Sequence, residues 1–251
     1  MGSLMQILQD VMETLPNGRV LDVRIGMHWT AVVVEVDGEK RCGLASTLVP
    51  NHPHTGEPDV VEAGELQRMS GLELANFALS ENFPQTSIGM ATINALLPKH
   101  MEEYRELNAE DVITEHGIGK DVALIGHFPF IQRVRERVGS LTIVEQTPVA
   151  GEVHTSQSAE VLSRAGVVAI TAMTLVNHTF DYIMKHCSPE AFVLLLGPST
   201  PLSPVLYNYG IHMLSGSVVT NIESVLHTVS QGGTFQQVHR AGVSLVTMIT
   251  E

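Results

Sequence analysis

The stretch ALIGHFPFI, residues 123–131, combines a short apolar strand with a glycine and a loop that carries histidine and proline. A second stretch, FVLLLGPSTPLSP at residues 192–204, has nearly the same order of features. Both apolar runs are continuous rather than alternating, which is typical of strands that are buried on both faces of a parallel sheet. The two stretches therefore predict two strands of one parallel sheet, each followed by a loop of special shape.

Other apolar runs after Val122 are separated by helical or loop segments. This alternation predicts a parallel sheet with right-handed crossovers. We therefore predict that residues 113–251 form a doubly wound, mostly parallel α/β domain. The runs are VALIG, LTIVEQ, VVAIT, FVLLLG, a part of GIHMLSGSVV, and VSLVTMI.

The first part of the chain separates its strands from its helices, which indicates an α+β domain over residues 1–112. Apolar residues between Leu4 and Leu15 follow the spacing of one helical face. The β-rich runs RVLDVRIG, TAVVVEV and EKRCGLAS follow, and Asp37-Gly38 between the last two suits a type I′ hairpin turn. These features predict a helix, an antiparallel meander and then further helices near residues 63–69, 72–79 and 87–97.

The composition argues against several classes of function. The chain has 251 residues, 44% of them hydrophobic, and this is enough for one large domain or two modest ones. Because 14 basic and 27 acidic side chains give a net charge of −13 and no segment concentrates Lys and Arg, we expect no nucleic-acid partner.

No apolar run approaches the ~20 residues of a membrane span, and MGSLMQILQD does not resemble a signal peptide. We expect a cytoplasmic protein without a membrane partner, and the apolar content is compatible with a homo-oligomer.

Ligands of open parallel sheets bind beyond the carboxyl ends of the strands, at the point where the strand order reverses. Counting the apolar runs as consecutive strands places this point between the strands that end at Gly126 and Gly197. The two loops then face each other across a crevice, although glycine and proline could also serve only to form tight turns. The candidate ligand-binding residues of these loops are Gly126, His127, Phe128, Gly197, Ser199 and Thr200.

The same topology indicates which of the 12 histidines lie on the ligand side of the sheet. His127, His154 and His178 follow the ends of strands and belong on the ligand side. Asn177 and His178 offer hydrogen-bond donors and acceptors, or a metal ligand, at the start of a helix, although Asn177 could instead cap that helix. The HPH segment at residues 52–54 is a weaker chelation candidate because alternate side chains of an extended segment point apart.

A dinucleotide cofactor is not expected. Phe128 and Ile131 stand where the dinucleotide fingerprint requires its second and third glycines. Pro201 and Pro204 remove backbone donors that would hold a phosphate. Only Glu145, at the end of the second apolar run, agrees with the dinucleotide fingerprint, because an acid at that position can bind a ribose hydroxyl.

Four longer blocks resemble those of a known family. IGHFPF, TLVNHTFDYI, LLLGPSTPLSPVLYNYGIHMLSGSVV and SIGMATINALL are similar to the signature blocks of the prokaryotic family described as "putative heavy-metal chelation". The resemblance implies an enolase N-terminal-like domain followed by a Rossmann-like domain, with a site in the cleft between them. It carries over no catalytic residue. The residues that it places in the cleft are His127, Asn177, His178, Ser199 and Thr200, with Ser87 and Asn94 from the other domain.

The leading functional hypothesis is that the interdomain cleft binds a heavy-metal ion or a small metal-chelating molecule. His127, His178 and Glu145 are the expected ligands of a divalent transition metal, since imidazole suits Zn, Ni, Cu or Fe. One alternative is an enzyme that acts on a small pterin-, flavin- or nucleoside-like molecule, with Phe128 and Phe130 against the ligand and His127 or Glu145 moving a proton, although both phenylalanines could instead be core residues. Another is a non-catalytic scaffold with a degenerate Rossmann pocket.

Overall fold

A computed structural model describes residues 3–49, 56, 58–99 and 103–250 of the chain. The HPH segment at residues 52–54 lies outside the described residues. In the described ranges, no helix has the length and apolar character that crossing a membrane requires.

The first sheet is an antiparallel meander in the order β1-β2-β3. Its strands are β1 (Arg19–Ile25), β2 (Trp29–Val36) and β3 (Glu39–Ser46). Asp37 and Gly38 form the turn between β2 and β3, with φ angles of 51° and 80°. Both central residues of a type I′ turn need positive φ, so the predicted meander and hairpin turn are confirmed.

Helix α3 (Phe83–Leu96) packs on this meander, and other helical segments of the first part pack on α3. Helix α3 contacts both β2 and β3 and is buried along most of its length, because apolar and small side chains surround its axis. The segment Asn76–Leu79 covers α3 on another side. The elements are α1 (Leu4–Glu13), α2 (Gly71–Ala75) and α3 (Phe83–Leu96), with 3₁₀ helices at Leu66–Arg68 and Asn76–Leu79.

The second sheet has the strand order β10-β9-β8-β7-β4-β5-β6. All its neighbouring strands are parallel except β9 and β10, which are antiparallel. An α+β part followed by a Rossmann-like, doubly wound α/β part is therefore confirmed. The strands are β4 (Asp121–Ile125), β5 (Ser140–Glu145), β6 (Val153–His154), β7 (Val167–Thr171), β8 (Phe192–Leu196), β9 (Met213–Val219) and β10 (Val243–Ile249).

The position of the strand-order reversal differs from the one predicted. The sequence count missed β6, because a strand of two residues leaves no apolar run. With β6 included, β7 is the fourth strand of this sheet, and the reversal lies between β4 and β7 rather than between the strands that end at Gly126 and Gly197.

The helices of the second part flank this sheet. They are α4 (Ala109–Gly117), α5 (Ile131–Arg135), α6 (Ala159–Arg164), α7 (Met173–Val176), α8 (Phe180–His186), α9 (Ile222–Ser230) and α10 (Phe235–Gly242), with 3₁₀ helices at Thr155–Gln157 and Pro204–Tyr209. The predicted boundary after residue 112 falls inside α4 and stays a prediction.

The two parts share a continuous apolar core, which extends from α1 and α3 into β4, β7 and β8. The N-terminal helix also makes polar contacts with the second part. The backbone N–H of Leu4 donates to Asp181 Oδ1 at 2.5 Å, and the Tyr209 hydroxyl donates to Asp10. Helix α1 therefore depends on elements of the second part for both its apolar and its polar contacts.

Candidate functional site

A cavity of about 900 Å³ lies at the carboxyl ends of β4, β7 and β8. Three loop segments that follow these strands line it, at residues 127–130, 171–173 and 196–199. Trp29 and Ser46 of the first sheet also line the cavity. The loops after Gly126 and Gly197 thus reach one cavity, with the end of β7 between them.

Both glycines that precede these loops have backbone conformations that other residues rarely adopt. The φ angles are +101° at Gly126 and +113° at Gly197. A Cβ at Gly126 would stand 3.0 Å from the Thr171 side chain, whereas one at Gly197 would meet nothing within 4 Å. The positive φ angles therefore explain the shared strand-glycine pattern of the sequence.

Aromatic rings form two walls of the cavity. Phe128 and Phe130 are stacked, with ring centroids 5.2 Å apart and planes inclined by 15°. Trp29 and Phe235 form a tilted pair with centroids 5.3 Å apart. Cavities of this volume with apolar walls and a few polar groups are typical of sites for small organic molecules.

His127 is hydrogen-bonded by carboxylates on both sides of its ring. Its Nδ1 lies 2.9 Å from Glu145 Oε1, and its Nε2 lies 2.6 Å from Glu152 Oε1. Both ring nitrogens must carry a proton to donate to two carboxylates, so this geometry favours the imidazolium form. The hydrogen bond that His127 donates to Glu152 raises the pKa of His127 most, the charges of Glu152 and Glu145 raise it further, and partial burial opposes the shift.

Glu152 connects two loops of the site. Its Oε2 accepts a hydrogen bond of 3.0 Å from the backbone N–H of Val149. That bond is the main reason why the pKa of Glu152 is lowered, and His127 lowers it further. The β5–β6 loop is thereby joined to the loop that carries Phe128 and Phe130. Sequence reasoning missed Glu152, since a single acid in a polar loop belongs to no motif.

The pKa of His127 is expected to lie above its ordinary value of about 6.5 and to fall in a Glu152→Gln variant, which loses the main hydrogen bond. Because folding raises this pKa, the stabilisation from the ion pair is complete below about pH 6.5 and is lost as pH rises through the folded-state pKa. An NMR titration of the imidazole measures the midpoint. Glu160→Gln, at an exposed ion pair on α6, is the matched control and should leave the midpoint unchanged. A wild-type midpoint at or below 6.5 would contradict the doubly bonded geometry.

The three predicted metal ligands are not all in contact. His127 and Glu145 are hydrogen-bonded, but His178 is exposed, has a φ of 59°, and makes a T-shaped contact with Phe83 at 6.1 Å. Within the described ranges, no group of three or more His, Cys, Asp or Glu side chains is arranged to hold a metal ion. The carboxylates of Glu145 and Glu152 point at the imidazole nitrogens rather than at a common centre. Metal binding by this set of residues stays a prediction.

Two predicted ligand-binding residues make contacts between the two parts of the chain. Ser199 Oγ accepts a 2.8 Å hydrogen bond from the backbone N–H of Ser46 and lies 3.1 Å from Ser46 Oγ. Asn94 Nδ2 donates to the carbonyls of Leu44, at 2.8 Å, and of Ser199, at 3.1 Å. Thr200 is 2% exposed, and its Oγ1 has no hydrogen-bond partner among the described residues.

Two other predicted residues have local structural contacts. Ser87 Oγ donates to the Phe83 carbonyl within α3 and accepts from the backbone N–H of Leu48. Asn177 Oδ1 accepts from both the backbone N–H and the hydroxyl of Thr179, at 3.2 and 2.7 Å. Thr179, not Asn177, is the N-cap of α8, so Asn177 makes a local turn contact rather than the predicted helix cap. A ligand-binding role for either residue stays a prediction.

Two family models match the chain, at residues 8–97 and 108–248, and both carry the description "Putative heavy-metal chelation". The chain belongs to this family. The resemblance of the sequence blocks is therefore confirmed.

Similar proteins align with most of the length of this chain. The crystal structures of two members with unknown function, from Desulfitobacterium hafniense and Pyrococcus horikoshii, each have a TM-score of 0.83 and cover 98% of this chain and 99% of their own. With sequence identities of 24% and 23%, this structural similarity shows a shared fold. An uncharacterised protein from Methanocaldococcus jannaschii is 22% identical over 216 residues, which are 83% of this chain and 82% of that protein.

Proposed function

We propose that the protein binds a small organic molecule with metal-chelating groups, alone or together with a transition-metal ion, in the cavity beside His127. The observation that carries this proposal is the cavity of about 900 Å³ with aromatic walls and a histidine at its margin. The volume suits an organic molecule and greatly exceeds that of a single ion. The description of the family, heavy-metal chelation, supports the same chemistry.

A chelated ion fits the residues better than a free ion does. A free divalent transition-metal ion needs three or four protein ligands that converge on one point. A chelating molecule supplies most of the ligands itself, so that one imidazole or carboxylate from the protein is enough. His127, unlike Glu145 and Glu152, lines the cavity, and it can provide this single ligand when it releases one ring proton to solvent and the hydrogen bond at that nitrogen opens.

The proposal is tested by calorimetric titration of tag-free protein with Zn²⁺, with the uncharged quinoline chelator oxine, and with the zinc–oxine complex. We expect oxine and its zinc complex to bind and Zn²⁺ alone not to bind stoichiometrically. Trp29 is the single tryptophan of the chain and lines the cavity, so a change in its fluorescence reports whether oxine binds there. A parallel titration of free tryptophan corrects for the light that oxine itself absorbs.

Phe128→Ala removes one ring of the stacked wall and is expected to weaken oxine binding about tenfold, which corresponds to roughly 1.4 kcal/mol. Ile118→Ala is the control, because Ile118 is an exposed apolar residue outside the cavity lining. The proposal is wrong if neither oxine species binds, or if Zn²⁺ binds stoichiometrically without a chelator and is lost in a His127→Ala variant. Thermal stabilisation by a pterin or nucleoside but not by oxine would instead favour the enzyme alternative.

A further inference from the structure

The cavity lining contains no positively charged side chain of lysine or arginine. All 14 Lys and Arg residues of the chain fall within the described ranges, and none of them is among the residues that line the cavity. The lining does include an acidic side chain, Glu106. Proteins bind phosphate, sulfonate and carboxylate groups chiefly through lysine, arginine and backbone N–H groups, so a major source of anion affinity is missing here.

The arginine that follows the aromatic loop is already paired. Arg133 lies on α5, directly after Phe130 and Ile131. Its guanidinium donates to both carboxylate oxygens of Glu110, at 2.8 and 2.6 Å. A two-point ion pair of this kind satisfies the planar guanidinium, so Arg133 is not available to an anionic ligand.

Among the described residues, two histidines line the cavity, His127 and His239, and the ring of His239 lies against that of Phe235. His127 cannot replace the missing cations. Both of its ring nitrogens are directed at carboxylates, Glu145 on one side and Glu152 on the other. The three groups together carry one net negative charge when the imidazole is protonated. The margin of the cavity near His127 therefore attracts a positive charge more than a negative one.

Backbone donors are also reduced in the two glycine-bearing loops. Pro129 and Pro198 line the cavity, and neither has a backbone N–H. Two of the helices that begin beside the cavity, α5 and α7, have only five and four residues. Two longer ones, α4 and α10, begin at the lining residues Ala109 and Phe235. At their starts, however, the Asn108 side chain and the Thr234–Gln237 capping box already occupy N–H groups, and Glu110 and Asp111 add negative charge to the first turn of α4. A phosphate cradle built from successive N–H groups at the start of a long helix does not form at these positions.

The aromatic walls favour the opposite charge. The faces of Phe and Trp rings carry negative electrostatic potential and attract cations. Four such rings line the cavity, and the whole chain has a net charge of −13, which adds to the attraction. These rings are Trp29, Phe128, Phe130 and Phe235.

We infer that the cavity selects heteroaromatic ligands that are neutral or positively charged, including a cationic metal chelate, and excludes anionic ligands such as phosphorylated or sulfonated compounds. This inference rests on the proposed function, because it concerns the ligand of the same cavity. It assigns the charge class of the ligand from the side chains that surround the site. Among nucleoside-like compounds, a free nucleoside fits this class and a nucleotide does not.

A matched series of quinolines tests the inference. Oxine is uncharged, its quinolinium analogue methylated on both nitrogen and oxygen is cationic, and oxine sulfonate carries a negative charge on the same ring system. We expect the first two to bind the full-length protein and the sulfonate to bind at least about tenfold more weakly, which is roughly 1.4 kcal/mol. The difference should decrease as salt is added, because salt screens the charges.

A substitution that adds a cation provides the second part of the test. Leu245 lines the cavity and is 52% exposed, so Leu245→Lys introduces a positive charge without removing a core side chain. This variant is expected to recover most of the sulfonate affinity. Ile118→Lys adds the same charge at an exposed position outside the lining and should not recover it.

The outcomes separate the two levels of the proposal. If oxine, the quinolinium and the sulfonate bind with equal affinity, or the sulfonate binds most tightly, the charge inference is wrong while the proposed function stands. If none of the three binds, the proposed function fails and the inference fails with it. Recovery of sulfonate binding by Ile118→Lys as well as by Leu245→Lys would overturn the assignment of selectivity to the cavity.

Discussion

Replacing Gly89 with alanine is expected to lower the free energy of unfolding by about 3 kcal/mol. Gly89 lies in the middle of α3, where an added Cβ would stand 1.9 Å from the backbone nitrogen of Ala78 and 2.5 Å from the carbonyl carbon of Phe77. Both are backbone atoms, so no side-chain rotation relieves the contact. Helix propensity alone predicts a gain of about 1 kcal/mol from this substitution, and the steric conflict reverses the sign.

Urea unfolding of the two proteins measures the difference. Ser224→Ala is the control, because Ser224 is exposed on α9 and its replacement should change the unfolding free energy by less than about 0.5 kcal/mol. A Gly89→Ala protein that is as stable as the wild type would show that α3 and the segment Asn76–Leu79 do not pack this closely.

Ser199→Ala is expected to destabilise the protein by about 2 kcal/mol, whereas Thr200→Val at the adjacent position is expected to be neutral or slightly stabilising. Ser199 Oγ accepts a hydrogen bond from the backbone N–H of Ser46, and both residues are buried. Its removal leaves a buried donor without a partner. The Thr200 hydroxyl is also buried but has no partner among the described residues, so valine removes the cost of burying an unpaired oxygen.

Each variant is the control for the other, because the two residues are neighbours in one loop and are both about 2% exposed. Chemical unfolding again gives the stabilities. Equal losses in the two variants would mean that the contact between Ser199 and Ser46 contributes nothing specific. A loss in Thr200→Val alone would show that a molecule such as ordered water satisfies that hydroxyl in solution.

The sequence predicts those parts of the fold that depend on local patterns. The continuous apolar runs of β4, β7 and β8 identify a parallel sheet, and Asp37-Gly38 identifies a hairpin, because each pattern has a direct backbone cause. Strand β6 has no recognisable sequence pattern, since two residues cannot show a periodicity. Missing it displaced the predicted strand-order reversal by one strand.

The candidate site is harder to predict from the sequence, because its contacts join residues that are distant in the chain. Proximity to strand ends correctly placed His127 and Ser199 among the lining residues. The hydrogen bond between Ser199 and Ser46 spans 153 positions, and Glu152 reaches His127 from another loop. Neither pairing has a sequence pattern. Trp29 and Phe235 were missed for the same reason.

The contact between the first helix and α8 has a consequence for synthesis on the ribosome. The hydrogen bond from the Leu4 N–H to Asp181 spans 177 positions, and α1 also packs on the 3₁₀ helix Pro204–Tyr209. During vectorial translation, α1 emerges long before these partners exist. Part of its apolar face stays unburied until most of the polypeptide has left the exit tunnel, which lengthens the time during which the nascent chain exposes apolar surface.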